Sequence, residues 1–267
     1  MSESLLKSSV IRFESGHIVP GQSYTNWVRS TTAPTDLVEP VQIWAAPVSL
    51  LDEVPDWVNS ALVHEDCAAL ETLSPVRRAE VRLGRCLLRR ALRASGFADI
   101  ACEPLAYGQH GAPYFASKNE EGPWFSISHA NGWVAVSLSS ISRVGLDLEN
   151  PNRQLKVSRL GPRVLSPTEA TWLATFESDL QPHHLLTAWV GKEAVLKALG
   201  LGVHGVITSV EVLGHERNPV RTDPQSGERQ RWSAVWPLVD PSLIVCLATE
   251  AAPESIQLIR ISASPIT

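Results

Sequence analysis

Two carboxylates lie two residues apart in the short apolar segment Val-Gly-Leu-Asp-Leu-Glu at residues 144–149. In an extended strand, side chains at positions i and i+2 point to the same face, so Asp147 and Glu149 would lie side by side. Two like charges in a half-buried strand repel each other, and a divalent cation relieves that repulsion. Oxygen ligands favour Mg²⁺, Mn²⁺ or Ca²⁺ over zinc. An edge strand with a solvated acidic face is the alternative interpretation.

A second candidate site lies on an arginine-rich helix. Ser74 and Pro75 predict its start, and Ser95-Gly96 predicts its end near Ala94. Glu80 is the only acidic residue in that range. Arginines recur at spacings of three and four and would share one face: Arg78, Arg82, Arg85 and Arg89. Because the guanidinium fork matches phosphate oxygens, this face predicts a phosphate site, with a solvated basic surface as the alternative.

A third pair of charges lies on a helix predicted from about His184 to Leu199. Glu193 and Lys197 are four residues apart, so they share a face of this helix. Taken alone they are an ordinary surface pair, which contributes a few tenths of a kcal/mol. They become candidates for chemistry if this helix packs against the strand at 144–149.

Strands and turns must position these residues. Trp124–His129 and Trp133–Ser139 predict a hairpin around Gly132, and 144–149 would add a third antiparallel strand, with His129 at the end of the sheet. Ser166 to Glu169 forms a capping-box sequence that begins another helix. We also expect an irregular segment over 1–40, a first strand at 41–45, helical structure from 55 to 70 and a loop at 214–231. Further short strands are predicted at 206–212, 232–236, 243–249 and 256–261.

Composition limits the class of protein. A chain of 267 residues with 44% hydrophobic residues can form one large or two small globular domains. A net charge of −5 argues against a nucleic-acid binder driven by bulk charge. The four cysteines show no CxxC pair and are predicted to be buried thiols in a reducing compartment. Neither a signal-peptide core nor a membrane-spanning apolar run is evident, so we predict a soluble cytoplasmic protein without membrane partners.

Together these segments resemble the 4′-phosphopantetheinyl transferases of the surfactin-synthetase-activating (Sfp) type. The resemblance rests on Gly145-x-Asp147-x-Glu149 followed about forty residues later by Trp189-x-x-Lys192-Glu193-Ala194-x-x-Lys197. Phe125–His129 is similar to the family's Phe-Asn-x-Ser-His segment, and Arg77–Glu80 with Gly84-Arg85 to its basic helix. The similarity covers roughly residues 73–202. Ser126 replaces the family's Asn, and Gly111-Ala112-Pro113 replaces Gly-Lys-Pro, which removes one expected cation.

The resemblance implies an α+β fold of two similar α/β halves packed as a pseudo-dimer, with coenzyme A in the cleft between them. The corresponding division is an extension at 1–40, an N-terminal half at 41–140 with the arginine-rich helix, and a C-terminal half at 141–267 with the metal site. An internal pseudo-dimer would favour a monomer.

The resemblance also implies a reaction. The family moves the 4′-phosphopantetheine arm of coenzyme A to a serine of an apo acyl or peptidyl carrier protein and releases adenosine 3′,5′-bisphosphate, here plausible in polyketide or nonribosomal peptide synthesis. Asp147, Glu149 and Glu193 would hold Mg²⁺, with Mn²⁺ possible. Lys197 would contact the pyrophosphate, and either Glu193 or a metal-bound water would take the serine proton. The candidates for binding coenzyme A are Arg78, Arg85, Arg89, Ser128, His129, Lys192 and Lys197.

Two other functions stay open at this point. A metal-dependent nucleotide pyrophosphohydrolase would use the same carboxylates with water as the nucleophile. A non-catalytic module that binds coenzyme A or a carrier protein would need no turnover, but Asp147, Glu149, Glu193 and Lys197 are all present, which argues against it. A nucleic-acid binder is disfavoured because no aromatic residues alternate with the arginines.

Overall fold

A computed structural model of the chain describes residues 8–14, 40–53, 56–118, 122–202, 206–214 and 218–261. It has the mixed α+β architecture that the sequence predicts. The strands of this part of the chain are β1 (Ser8–Glu14), β2 (Val41–Pro47), β3 (Ala106–Tyr107), β4 (Pro113–Tyr114), β5 (Trp124–Ala130), β6 (Trp133–Ser139), β7 (Val144–Glu149), β8 (Val210–Glu211), β9 (Val220–Thr222), β10 (Arg229–Arg231), β11 (Ser233–Val235), β12 (Ile244–Thr249) and β13 (Ser255–Ile261).

The α-helices of the same residues are α1 (Asp56–Ala61), α2 (His64–Leu70), α3 (Pro75–Ala94), α4 (Val157–Val164), α5 (Pro167–Leu173) and α6 (Gln181–Ala198). Short 3₁₀ turns occur at Val48–Glu53, Ile100–Cys102, Ala116–Lys118 and Ile207–Ser209. The bounds of α3 agree with the prediction, and the predicted capping box begins α5: the Ser166 hydroxyl accepts from the Glu169 amide, and the Glu169 carboxylate from the Ser166 amide. The predicted helical stretch at 55–70 is divided into α1 and α2.

The largest sheet has the strand order β1-β13-β2-β6-β5. Strand β13 comes from the end of the chain, yet it pairs in parallel with β2 and so lies in the sheet of the predicted N-terminal half. Strand β1 pairs antiparallel with β13. The prediction of an irregular segment at 1–40 is therefore wrong for Ser8–Glu14, because the partner that stabilises this edge strand lies more than 200 residues away in sequence.

The predicted hairpin is present as β5 and β6. Asn131 and Gly132 form its turn with φ values of 49° and 75°, the left-handed conformation that tight hairpins require. The third strand does not extend this sheet as predicted. Strand β7 instead pairs with β12, in a separate sheet of order β11-β12-β7.

Strands β5 and β7 still lie side by side, and serine side chains connect them. The Ser126 hydroxyl donates to the Leu146 carbonyl at 3.5 Å, and the Leu148 amide donates to the Ser128 hydroxyl at 3.1 Å. The edges of two sheets therefore meet at the point where the sequence places its candidate residues.

Two helices cover these sheets. The apolar face of α3 packs on the large sheet, with four leucines fully buried: Leu83, Leu87, Leu88 and Leu92. Helix α6 packs on β7 and β12, which satisfies the condition set for Glu193 and Lys197.

Three further features differ from the predictions. Helix α4 was not predicted, because Gly161 and Pro162 within it are poor helix formers. The predicted loop at 214–231 contains strands β9 and β10, and a third sheet has the order β10-β9-β8. All four cysteines are free, as predicted, but Cys67 and Cys102 are exposed rather than buried.

Within the described ranges, no helix has the length and apolar character needed to cross a bilayer.

Candidate active site

A cavity of about 660 Å³ lies where β5 and β7 meet, between α3 and α6. The turn between β3 and β4, including Gly111 and Ala112, closes one side of it. Its walls carry four carboxylates: Asp147, Glu149 and Glu193 on β7 and α6, and Glu80 on α3. They also carry four cationic side chains and two imidazoles: Arg77, Arg85, Arg153, Lys197, His110 and His129. The cavity thus combines carboxylates with cationic and imidazole side chains, as a site for a cation and a phosphorylated ligand would require.

Asp147 is the centre of a hydrogen-bonded network on one wall. The residue is only 4% exposed. The ammonium of Lys197 lies 2.5 Å from its Oδ1 atom, and the Ser128 hydroxyl lies 2.9 Å from both groups. The Leu148 amide, Lys197 and Asp147 together satisfy the Ser128 hydroxyl. Ser128, which lines the cavity and was predicted to bind coenzyme A, therefore holds Asp147 and Lys197 in place.

Glu193 lies one helical turn before Lys197 on the face of α6 that lines the cavity. Burial raises the pKa of this carboxyl to about 7, and the negative charge of Asp147 adds to the effect. Its charge at neutral pH therefore depends on what occupies the cavity. A cation would favour the carboxylate form.

Glu149 lies at the rim, where β7 ends. Its carboxylate forms an ion pair with Arg153 and accepts a hydrogen bond from the Asn150 amide at 2.8 Å. Because the side chain of Arg153 is 48% exposed, this pair contributes little to stability and can rearrange at low cost.

Asp147, Glu149 and Glu193 suit a hard divalent cation, because carboxylate oxygens are the ligands that such ions prefer. In the structure, however, Lys197 and Arg153 engage two of them, and the described residues contain no ready-made group of three His, Cys, Asp or Glu ligands. The negative charges of Asp147 and Glu149 both raise the pKa of Glu193, so the three groups repel one another across a short distance. That repulsion is what an Mg²⁺ ion would relieve, and the donor set therefore fits one.

Arg77, Glu80 and His129 form a cluster on the opposite wall. The Glu80 carboxylate lies 3.3 Å from the Arg77 guanidinium and 3.3 Å from Nδ1 of His129, while Nε2 of His129 contacts Arg77. Burial, together with the charge of Arg77, lowers the pKa of His129. His129, a predicted coenzyme A ligand, thus lies on the cavity wall beside Arg77, which was not among the predicted site residues.

The predicted arginine face of α3 divides into two kinds of residue. Arg85 lines the cavity, and its guanidinium contacts the Asp66 carbonyl at 2.9 Å and the Tyr107 hydroxyl at 2.5 Å. Arg89 is 1% exposed, forms an ion pair with Asp66 at 2.7 Å and donates to the carbonyls of Ala101 and Glu103. Arg89 does not line the cavity, and its Nε and Nη1 atoms bind protein partners, so the structure does not bring this predicted phosphate ligand to the cavity.

Arg78 and Lys192 also have structural partners. Arg78 donates to the carbonyls of Leu70, Glu71 and Leu73 at the end of α2, and it does not line the cavity. The ammonium of Lys192 is fully buried, 2.6 Å from the Glu169 carboxylate and 2.8 Å from the Val164 carbonyl. Both residues were predicted to bind coenzyme A phosphates, but in this structure protein atoms engage their charged groups and neither residue lines the cavity.

Sequence reasoning missed Asp66, Arg77, Glu80 and Arg153. Asp66 is the acidic partner that the α3 arginines were expected to lack, and it is 2% exposed. Its signal is weak, because it is one acid among several in the predicted 55–70 helix. Arg77 and Glu80 were visible in the resemblance motif, but their helical spacing alone does not show that they face a cavity.

Comparison with known proteins finds similarity to the same family that the sequence motifs resemble. Residues 143–240 match the family model described as the 4′-phosphopantetheinyl transferase superfamily. Over 195 residues the chain is 27% identical to slr0495 of Synechocystis sp., whose name assigns it provisionally to the 4′-phosphopantetheinyl transferases; the match covers 72% of this chain and 77% of that one.

Two enterobacterial proteins are similar over a shorter range. The chain is 30% identical over 125 residues to the 4′-phosphopantetheinyl transferase AcpT of Salmonella typhi, which covers 47% of this chain and 60% of AcpT. It is 31% identical over 134 residues to AcpT of Escherichia coli K12, which covers 50% of this chain and 66% of AcpT. The matches therefore span less than two thirds of either AcpT chain.

Proposed function

We propose that this chain, which matches the 4′-phosphopantetheinyl transferase superfamily over residues 143–240, transfers the 4′-phosphopantetheine arm of coenzyme A to a serine of an apo acyl or peptidyl carrier protein. The second product is adenosine 3′,5′-bisphosphate. The observation that carries this proposal is the meeting of Asp147, Glu193 and Lys197 in one cavity that also presents Arg77, Arg85 and His129. This cavity has the size expected of a small-molecule site.

The reaction breaks one phosphorus–oxygen bond. The serine oxygen attacks the phosphorus next to the pantetheine arm. The bond from that phosphorus to the bridging oxygen breaks, and its electron pair leaves with the oxygen as part of adenosine 3′,5′-bisphosphate. Phosphoryl transfer needs little covalent chemistry from the protein, so positioning and charge stabilisation supply most of the rate.

Each wall has its own role in this proposal. Lys197, held by Asp147 and Ser128, places a positive charge where the leaving phosphate develops negative charge. Glu193 is the first candidate to accept the serine proton, because it lines the cavity one helical turn from Lys197. Arg77, Arg85 and His129 are the groups available to the 3′-phosphate of coenzyme A.

Asp147, Glu149 and Glu193 are the residues that would hold Mg²⁺. When bound, the ion supplies Lewis-acid stabilisation of the pyrophosphate oxygens. Occupation by a cation would also compete with Lys197 and Arg153 for the carboxylate oxygens that they now contact.

Intact-protein mass spectrometry tests the proposal. A panel of apo acyl and peptidyl carrier proteins is incubated with the protein and coenzyme A, with Mg²⁺ or with EDTA. We expect an Mg²⁺-dependent gain of one phosphopantetheine on at least one carrier. Carrier-independent cleavage of coenzyme A, without any gain of mass, would favour a pyrophosphohydrolase, and binding without cleavage would favour a non-catalytic module.

A further inference from the structure

Tyr107, on the short strand β3, contacts an arginine of α3 at the cavity wall. Nη2 of Arg85 donates to its hydroxyl oxygen at 2.5 Å. Both residues line the cavity, although Tyr107 is 50% exposed and Arg85 only 6%. The contact therefore links the exposed ribbon of β3 and β4 to a buried guanidinium that is one of the groups available to the 3′-phosphate.

Helix α2 holds the other end of the same guanidinium. Nη1 of Arg85 donates to the Asp66 carbonyl at 2.9 Å and lies 3.5 Å from Oδ1 of Asp66. The other carboxylate oxygen of Asp66 accepts from Nε of Arg89 at 2.7 Å and from the Val63 amide at 3.3 Å. Because a guanidinium is planar and rigid, contacts at both Nη1 and Nη2 fix its orientation. Tyr107 supplies the second of these contacts.

Positive charge exceeds negative charge in this group of residues. Arg85 and Arg89 share the single carboxylate of Asp66, and among the ion pairs of the described residues neither arginine has another acidic partner. Arg85 lines the cavity, and Arg89 does not. The surplus positive charge is therefore presented to the cavity by the guanidinium that Tyr107 contacts.

Hydrogen-bond donors are also left over at this point. The Tyr107 oxygen accepts from Arg85, so its own O–H remains free to donate. Across the part of the chain that the structure describes, the Tyr107 hydroxyl has no other hydrogen bond to the protein. Nη2 of Arg85 carries a second hydrogen as well. A phenolic O–H and a guanidinium N–H on neighbouring atoms are thus available to an acceptor in the cavity.

We propose that Tyr107 positions Arg85, and that the phenol and the guanidinium bind the 3′-phosphate of coenzyme A as one unit. This inference rests on the proposed function, which places coenzyme A in the cavity. A phosphate monoester carries up to about two negative charges and three terminal oxygens, so it can accept from both groups at once. The pyrophosphate has less charge on each phosphorus, and Lys197 of α6 is the cation proposed for it.

The test uses Tyr107→Phe, which removes one oxygen atom and keeps the ring. Transfer is measured with coenzyme A and with dephospho-coenzyme A, using the carrier that the wild-type protein modifies best. We expect KM for coenzyme A to rise about fivefold or more, with a much smaller change in kcat. KM for dephospho-coenzyme A should change by less than about twofold, because that substrate lacks the 3′-phosphate. A merely structural role of Tyr107 would affect both substrates alike.

Tyr114→Phe is the matched control. Tyr114 lies on β4 of the same ribbon, is 47% exposed and does not line the cavity. Loss of its hydroxyl should leave both KM values within about twofold of the wild type. A rise in KM for coenzyme A equal to that of Tyr107→Phe would overturn the inference.

A double-mutant cycle tests whether Tyr107 acts through Arg85. If the two form one unit, Tyr107→Phe combined with Arg85→Met should raise KM for coenzyme A at least about threefold less than the product of the two single effects. Effects that simply multiply would show that Tyr107 does not position Arg85.

Direct binding separates this inference from the transferase proposal. Calorimetry with adenosine 3′,5′-bisphosphate and with adenosine 5′-monophosphate needs no carrier. In Tyr107→Phe, Kd for the bisphosphate should rise about fivefold or more and Kd for the monophosphate less than about twofold. An equal change for both probes, or none, would overturn the inference even if transfer persisted. The expected binding pattern in a protein that modified no carrier would refute the transferase and leave the phosphate-binding unit supported.

Discussion

Gly145 lies directly against the backbone of Ala194, so strand β7 and helix α6 are in contact without a side chain between them. A Cβ atom at Gly145 would overlap the Ala194 carbonyl oxygen and lie 2.6 Å from the Ala198 backbone nitrogen. This close approach sets the height of α6 above β7. It therefore fixes where Glu193 and Lys197 stand relative to Asp147.

Gly145→Ala is expected to destabilise the protein strongly, since neither backbone can move aside without separating the two elements. Overpacking typically costs about 1–3 kcal/mol, and a clash with backbone on two sides should reach about 3 kcal/mol or more. Urea unfolding measures the loss. Gly108→Ala is the control, because its nearest neighbour is an ordinary 3.7 Å away and its cost should stay below about 0.5 kcal/mol. Equal stability of both variants would refute the close-packing account.

The raised pKa of Glu193 predicts an unusual dependence of stability on pH. The pKa of this carboxyl is about 7 in the folded protein against an ordinary value of 4.5. The folded state therefore holds the proton more tightly, and stability falls as pH rises from about 4.5 to about 7. In EDTA, Glu193→Gln should be more stable than the wild type at pH 8 by on the order of 2–3 kcal/mol, with a much smaller difference near pH 5.

The matched control for this measurement is Glu254→Gln, a change at an exposed carboxylate. It should shift the urea midpoint little at either pH. If Glu193→Gln were no more stable than the wild type at pH 8, burial and the charge of Asp147 would not raise the pKa of Glu193 in the metal-free site.

The Lys192–Glu169 pair is expected to act on folding and not on coenzyme A binding. Both side chains are fully buried, and removal of one partner of such a pair typically costs about 3–5 kcal/mol because the other charge is left without compensation. Lys192→Met should lower stability by that amount. Lys192→Met combined with Glu169→Gln should recover part of the loss, since neither charge then remains.

Kinetics of the folded fraction complete that test. At a temperature where Lys192→Met is folded, KM for coenzyme A should stay within about twofold of the wild-type value. A large increase in KM with little loss of stability would restore the original assignment of Lys192 to a phosphate.

Arg85 and Arg89 lie one helical turn apart, but their substitution is expected to have different effects. Arg85→Met is expected to raise KM for coenzyme A about tenfold, with a smaller effect on kcat, because Arg85 lines the cavity. With dephospho-coenzyme A, which lacks the 3′-phosphate, the change should matter much less. Arg89→Met should mainly lower stability, since it leaves the 2%-exposed Asp66 without its closest partner. If the two substitutions had the same kinetic effect, the division of the arginine face would be wrong.

Local patterns in the sequence predict the elements that position the site. Ser74-Pro75 and Ser95-Gly96 delimit α3, alternation defines β7, and the Asn131-Gly132 turn joins β5 to β6. The pairing of Asp147, Glu193 and Lys197 in one cavity also follows, once a helix that carries two charges on one face packs on a strand that carries the third. These features depend on interactions between residues close in sequence or on one contact between two elements.

The features whose surroundings the sequence did not reveal have partners that are distant in sequence. Helical spacing places Arg85 and Arg89 on one face, but Asp66, 23 residues before Arg89, decides that Arg89 is buried. Likewise, Lys192 appears in sequence as a cation near the site, and only its contact with Glu169 makes it part of the core. Strand β1 has its partner at the other end of the chain. No local pattern carries this information, because burial is a property of the assembled fold.

The most direct test of the account is single-turnover transfer by Asp147→Asn, measured with saturating coenzyme A, Mg²⁺ and the preferred apo carrier. Asparagine preserves the shape of the side chain but removes the charge that pairs with Lys197 and would bind the cation. We predict a transfer rate at least about 100-fold below that of the wild type, measured under conditions in which a urea titration shows that the variant is folded. A folded Asp147→Asn protein that transferred phosphopantetheine at a near-normal rate would contradict the assignment of this cavity as the active site.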